Sequence, residues 1–366
     1  MNDAAFDADR WALPPLSVGE FAPDFSAATH RNPLFHFSTV AGRYVLLAFM
    51  PRDPARRAAA LAAFETVRPR FNDILLTAFF VAAGPDALAT TEERIPGQRW
   101  FADPEGEVGA RFHAGEAAPA WLLFDPMLRL LMRAQIETPQ PILAALASLR
   151  PLDAHAGVPL VAPALVVPRV FEPEFCRRLI DSYQADGGEV SGVMRDVGGK
   201  TVGVLDGMKR RRDATLSDPD LRREILQRIE RNLLPMIART FQFQATRIER
   251  YIVACYDAAD GGYFNAHRDN ETLGTAHRRF ACSINLNAEE FEGGDLTFPE
   301  YGTRTYRPPT GGAVVFCCSA QHAATPVTRG RRYAFLPFFF DEAGQRIREA
   351  NAAFMAKGEG AVIDNR

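Results

Sequence analysis

The chain has 366 residues, 47% of them hydrophobic and 24% charged, which is long enough for two globular domains of ordinary size. A net charge of −3 builds in no long-range attraction to nucleic acid or anionic lipid, and no apolar run approaches the ~20 residues that span a bilayer. The five cysteines all lie at or after Cys176, include no C-x-x-C pair and are odd in number, which does not suit a disulfide framework and points to a reducing compartment. Met1-Asn2-Asp3-Ala4 lacks the basic-then-apolar pattern of a signal peptide, so a cytoplasmic location is expected.

Residues 1–150 alternate between strand and helix patterns. Tyr44 to Met50 is a continuous apolar run of buried-strand length. Asp53 is placed to cap a helix with Pro54 at its first position, carrying Ala58, Leu61, Phe64 and Val67 and stopping before Pro69. Ile74 to Ala83 and Leu122 to Asp125 read as further strands, and Pro141 to Leu149 as a closing helix. This alternation predicts an α/β layered domain.

Leu16-Ser17-Val18-Gly19-Glu20-Phe21-Ala22-Pro23-Asp24-Phe25, Phe49-Met50-Pro51-Arg52-Asp53, Asp103-Pro104-Glu105-Gly106 and Ala118-Pro119-Ala120-Trp121 resemble the peroxiredoxins. The resemblance implies a thioredoxin-like fold with Pro119 in the cis form. Peroxidatic chemistry needs a thiolate at a helix N-terminus, where the dipole lowers its pKa. The family places that cysteine at the position of Ala58 and a helping threonine at that of Ala55. Neither is present, so this half is expected to act as a docking, dimerisation or stabilising module, with a homodimer formed through it.

Residues 151–166, with Pro151, Gly157, Pro159 and Pro163, read as a short stiff linker. The second domain, 167–345, opens with an amphipathic helix carrying Phe175, Leu179, Ile180 and Tyr183, ended by Gly187. Cys176 is read as core packing. Seven glycines between Gly187 and Gly207 predict a flexible lid over bound substrate, and the Lys209-Arg210-Arg211-Arg212 run beyond it reads as a solvated loop edge in preference to a contact for an acidic substrate. Ser217-Asp218-Pro219 opens a helix through Leu221, Ile225, Ile229 and Leu233 that buttresses the domain, and Pro235 ends or kinks it. Residues after Gly344 read as a polar helix and a loose tail, the C-terminal tail being 346–366.

Between Tyr256 and Arg332 the chemistry concentrates. Residues two apart on a strand face the same way, so His267 and Asp269 can reach one cation while Arg268 points elsewhere. Strand-like runs at Phe280–Leu286, Leu296–Phe298 and Ala313–Cys318, joined by Gly-rich turns, bring His322 back toward that pair. Two imidazoles and a carboxylate on one face form the facial triad of non-haem Fe(II) oxygenases. 2-Oxoglutarate can chelate such a metal, and Arg332, at the start of the last strand run Tyr333–Phe340, offers a planar fork for its far carboxylate. Cys317 and Cys318 point to opposite faces and are read as sheet packing, and His277 is not expected to be a ligand.

Gly261-Gly262-Tyr263-Phe264-Asn265-Ala266-His267-Arg268-Asp269, Glu292-Gly293-Gly294-Asp295 and Pro326-Val327-Thr328-Arg329-Gly330-Arg331-Arg332-Tyr333 resemble the prolyl 4-hydroxylase branch of the Fe(II)/2-oxoglutarate dioxygenases, over roughly Val167 to Phe340. The resemblance implies an all-β double-stranded β-helix (jelly roll) with buttressing helices. It gives iron to His267, Asp269 and His322 and the cosubstrate carboxylate to Arg332. It places Tyr256 in the pocket and implies O2 and 2-oxoglutarate as co-reactants, with ascorbate as accessory reductant. Asn285 stands where relatives carry a cosubstrate-binding tyrosine, and Phe264 where they often have tyrosine. The expected reaction is hydroxylation of an unactivated C–H bond, with a prolyl residue of a peptide or protein as substrate. The alternatives are a free amino acid or secondary metabolite as substrate, or a non-catalytic sensing protein.

Overall fold

A computed structural model describes residues 15–355 and 362–364, so Met1–Ala4 lie outside the described residues. The chain divides into two compact units, residues 1–160 with 300–302 and residues 161–299 with 303–366.

The first unit is built on a five-stranded sheet in the order Gln98–Asp103, Leu76–Ala83, Tyr44–Met50, Ala120–Phe124, Leu130–Gln135. The first three strands run parallel and the last two join antiparallel. Every residue of Tyr44–Met50 is buried, because both faces of this central strand are covered. Val45, Leu47 and Phe49 pack with Phe79, Phe101 and Phe124 on one side. Leu46, Ala48 and Met50 pack with Phe80, Trp100 and Trp121 on the other.

Asp53 caps the Pro54–Glu65 helix, its side chain accepting the Arg56 N–H at 2.8 Å. That helix stops at Glu65, two residues before the expected Val67, and the chain continues as a 3-10 turn at Arg68–Arg70. Ala55 and Ala58 both lie on it. The closing helix is shorter than expected: Gln140–Ala145 is α-helical and Leu146–Ser148 a 3-10 turn. One expectation is overturned outright. The cis peptide among the described residues is Ile95-Pro96, and Pro119 is trans.

The two largest sheets of the second unit are antiparallel. The larger runs Arg247–Glu249, Phe338–Phe340, Phe280–Asn285, Arg331–Phe335, Ile252–Asp257, Arg212–Thr215, Glu189–Val190, with Ala313–Cys317 and Leu165–Val167 attached through Phe280–Asn285. The smaller runs Lys209–Arg210, Tyr263–His267, His322–Ala324, Leu296–Thr297, Thr305–Tyr306. Strand alternation separates their faces. Val253, Cys255, Ile284, Val315 and Phe335 point outward and bury against Phe175, Leu179, Ile225 and Ile229 of the helices Pro173–Asp186 and Pro219–Asn232. Ala254 and Tyr256 point inward and meet Phe264 and Ala324 of the smaller sheet. Two sheets that share inward side chains in this way form a β-sandwich, and the space between them is where polar groups can be held away from water.

Gly187 ends the first helix at φ 85°, a left-handed position that costs glycine little. The glycine-rich stretch after it is no irregular loop. Val193–Val197 and Lys200–Leu205 form a hairpin, turned at Gly198-Gly199, both with positive φ. Pro235 does not kink one long helix but opens a second one, Leu234–Phe241. The expected polar helix after Gly344 is present as Glu342–Ala350, capped by Asp341, and only the tail beyond it differs, since Val362–Asp364 pairs parallel to Lys200–Leu205. Among the described residues no helix is long and apolar enough to cross a membrane.

Candidate metal centre

His267 ends the Tyr263–His267 strand and lies directly across the ladder from His322. The ladder is irregular between Phe264 and His267. Such an irregularity re-aims a side chain, so two residues three apart can share a face. Here the Phe264 ring stacks on the His267 imidazole, with centroids 3.5 Å apart and planes 15° from parallel. Asp269 lies beyond the strand, in a turn whose position is set by its N–H donating to the Cys318 carbonyl at 2.9 Å. The two-residue spacing therefore brings His267 and Asp269 together through a turn rather than along one strand.

Ligand atoms of His267, Asp269 and His322 all lie within 4.8 Å of one another. His267 Nε2 is 3.6 Å from Asp269 Oδ1, and His322 Nε2 is 3.3 Å from Asp269 Oδ2. On the far side of each ring, Nδ1 sits 2.8 Å from the Asn265 carbonyl in His267 and 3.1 Å from the Ala320 carbonyl in His322. A carbonyl only accepts, so each Nδ1 carries the proton and each Nε2 presents its lone pair toward the carboxylate. That is the tautomer a metal ligand needs, fixed by backbone.

Electrostatics agree with this donor set. Burial pushes His322 down to about 4, helped by the adjacent His267 and opposed by Asp269, which keeps it neutral at physiological pH. Two neutral imidazoles and one carboxylate suit Fe(II).

Arg332 pairs in register with Tyr256, and its guanidinium lies 5.2 Å from that ring. It is only 4% exposed, and Nη2 donates to Ser283 Oγ at 2.8 Å. Its Nε and Nη1 are buried with no partner. Uncompensated buried donors of this kind are costly, and a carboxylate is the group that would satisfy them. Asn285 also faces inward, with one N–H of its amide donating to the Pro308 carbonyl at 2.8 Å. His277 is engaged elsewhere, 2.6 Å from Glu249. Cys317 is exposed and Cys318 buried, both as free thiols.

The basic run holds residues that the sequence reading undervalued. Arg210 and Arg212 face outward, yet Lys209 and Arg211 are 8% and 7% exposed. Arg211 Nη2 donates to Asp213 Oδ2 at 2.7 Å and Nη1 to the Tyr256 hydroxyl at 3.3 Å. Period-two alternation through Lys209, Arg211 and Asp213 was the available signal, because Lys209 and Asp213 lie on two strands and Arg211 is the single residue that joins them.

Residues 251–340 match the 2OG-Fe(II) oxygenase superfamily. A PKHD-type hydroxylase of Cupriavidus metallidurans is 28% identical over 182 residues, 46% of this chain and 74% of that protein. A PKHD-type hydroxylase of a Synechococcus species is 31% identical over 118 residues, 30% of this chain and only 49% of its own length. Among solved structures, a Pseudomonas putida prolyl-4-hydroxylase aligns at TM-score 0.38 and 16% identity, covering 53% of this chain and 97% of that one. A peroxidoxin of Mycobacterium tuberculosis aligns at TM-score 0.31 and 15% identity, covering 37% and 99%. Over residues 251–340 the chain is thus similar to a superfamily of oxygenases described by Fe(II) and 2-oxoglutarate.

Proposed function

We propose that the second unit hydroxylates an unactivated C–H bond, with a prolyl residue in a peptide or protein as substrate. The observation that carries this reading is the His/Asp/His cluster whose tautomers are already set, in the same unit as a buried Arg332 guanidinium with two orphaned donors. His267 Nε2, His322 Nε2 and one Asp269 oxygen would hold Fe(II). When bound, iron with 2-oxoglutarate and O2 supplies an oxidant able to break such a bond, and the balance is C–H, O2 and 2-oxoglutarate giving C–OH, succinate and CO2.

The chain's own part is positional. Arg332 binds and orients the far carboxylate of the cosubstrate, with Ser283 holding Nη2 and the Tyr256 ring packed beside it. Asn265 and Ala320 hold the protons of the two ligand imidazoles on Nδ1. Phe264, stacked on His267, excludes water from that side of the cluster.

The first unit is read as a thioredoxin-like domain without thiol chemistry, since its motifs match a redoxin while Ala58 replaces the nucleophile. Homodimerisation through it, a cytoplasmic location and ascorbate as accessory reductant belong to the same proposal. The test is succinate release from Fe(II) and 2-oxoglutarate with a panel of prolyl peptides and small amino acids, read beside a mass gain of one oxygen. Stimulation by small molecules alone would move the substrate away from peptides. No oxygenated product from either group would remove the hydroxylase reading.

A further inference from the structure

Tyr256 is the middle of a row of three side chains on the inner face of the larger sheet. On one side its register partner is Arg332. On the other, the ladder sets Arg212 opposite Cys255, and one step further along it Arg211 falls beside Tyr256. Arg211 is the single residue between Lys209–Arg210 of the smaller sheet and Arg212–Thr215 of the larger, so the chain crosses between the sheets there. The two guanidiniums lie 5.7 Å (Arg211) and 5.2 Å (Arg332) from the Tyr256 ring. Tyr256 also packs in one buried cluster with Phe264, whose ring stacks on His267.

The two arginines differ in their partners. Arg332 has two buried donors without an acceptor, which suits it to an anion. The charge of Arg211 is compensated inside the fold. Its Nη2 donates to Asp213 Oδ2 at 2.7 Å, and that oxygen also accepts from the Ser191 hydroxyl at 2.5 Å and from Arg250 at 3.4 Å. With Nη2 fixed in this way, Nη1 donates to the Tyr256 hydroxyl at 3.3 Å.

The polarity of that last bond follows from chemistry. A guanidinium only donates, so the Tyr256 oxygen accepts and the phenol hydrogen must go to a different acceptor. Tyr256 is 3% exposed, and among the described residues no acceptor lies in reach of its hydroxyl hydrogen. A buried O–H that donates to nothing is costly, and an acceptor brought by a ligand would satisfy it.

We propose that Arg211 is a positioning residue for cosubstrate binding: it occupies the acceptor side of the Tyr256 phenol and so leaves that O–H to donate to an oxygen of 2-oxoglutarate held beside Arg332. The proposal rests on the hydroxylase reading above and adds a residue that acts on the cosubstrate only through Tyr256. Asp213 and Ser191 hold the guanidinium, and the guanidinium sets the phenol before the ligand arrives.

The test is the Kd of 2-oxoglutarate, read from visible charge-transfer absorption during anaerobic titration of the Fe(II)-loaded full chain. No band with the parent chain removes the hydroxylase reading and this proposal together. With the band present, Tyr256→Phe, which keeps the ring and removes one hydroxyl, should raise the Kd about ten-fold, the worth of one hydrogen bond to a charged group. Arg211→Lys keeps the charge but loses the fork, and should raise the Kd about three- to ten-fold when Tyr256 is present. In the Tyr256→Phe background the same substitution should change it by no more than about two-fold, whereas an arginine with a merely structural role would add its full effect in both backgrounds. Arg211→Gln serves the same comparison where Arg211→Lys fails to fold. An unchanged Kd in Tyr256→Phe, or equal losses from the Arg211 variant with and without the hydroxyl, overturns the proposal while the charge-transfer band, and with it the hydroxylase reading, stands.

Discussion

Arg332→Met separates a binding role from a structural one. In the free protein this guanidinium is buried, with one hydrogen bond to Ser283 and two donors unpartnered. Replacing it with an apolar chain of similar length forfeits about 1 kcal/mol for that bond while relieving the burden of an unpaired buried cation, so the melting temperature should hold or rise. The cosubstrate should feel the opposite effect. Its far carboxylate would lose the charge that compensates it, at about 3–5 kcal/mol, or roughly two to three and a half powers of ten in KM for 2-oxoglutarate. A ligand at 100 times its Kd stabilises by about 2.7 kcal/mol, and a Kd raised a hundred-fold reduces that to about 0.4 kcal/mol. In a domain of this size the difference is about 5–10 °C of 2-oxoglutarate-dependent thermal shift. The assays are that shift, on metal-loaded protein, and the KM from succinate release. An unchanged KM, or a free variant that melts far below the parent, would refute the assignment of Arg332 as the cosubstrate's partner.

Ser283→Ala leaves the guanidinium in place but unanchored, and KM for 2-oxoglutarate should rise about three- to ten-fold in the same succinate assay, in line with a bond of ~0.5–1.5 kcal/mol. Burial alone would raise Glu249, but the His277 hydrogen bond and the Arg278 charge hold it well below 4.5. A carboxyl depressed in the folded state stabilises above its unfolded value and loses that contribution as pH falls through the folded one. Glu249→Gln should therefore cost about 3–5 kcal/mol in denaturant unfolding at pH 7, with the gap to the parent narrowing below pH 4.5. Trp121 is fully buried and donates to the Ile136 carbonyl at 3.1 Å, so Trp121→Ala should destabilise the first unit by about 3–5 kcal/mol in urea unfolding followed by circular dichroism. Peroxide consumption with thiol reductants should stay at background for the parent chain, because no cysteine precedes Cys176.

The elements most legible in the sequence were those where one local rule decides the outcome. A seven-residue unbroken apolar run is the length of a doubly covered strand and short for a helix, and Tyr44–Met50 is such a strand. Asp53-Pro54 and Asp218-Pro219 announce helix starts because both cap and first position are written in the residues. His267, Asp269 and His322 were legible as a cluster because few other patterns join two imidazoles and a carboxylate at that spacing. What escaped depended on contacts from elsewhere. Glycines suggested a loose lid, yet pairing of Val193–Val197 with Lys200–Leu205, and of that strand with Val362–Asp364, turns the stretch into sheet. Four consecutive basic residues suggested solvent, and only the strand pairings of Lys209–Arg210 and Arg212–Thr215 turn Lys209 and Arg211 inward. The cis proline lies at Ile95-Pro96, outside the motif around Pro119.

The central claim is that His267, Asp269 and His322 together hold one ferrous ion. Anaerobic titration of metal-free protein with Fe(II) measures this directly, in the parent chain and in folded His267→Ala, Asp269→Ala and His322→Ala variants. One tight site per chain, lost in each variant, is the predicted result. Stoichiometric binding that persists when any one of the three is removed would contradict it.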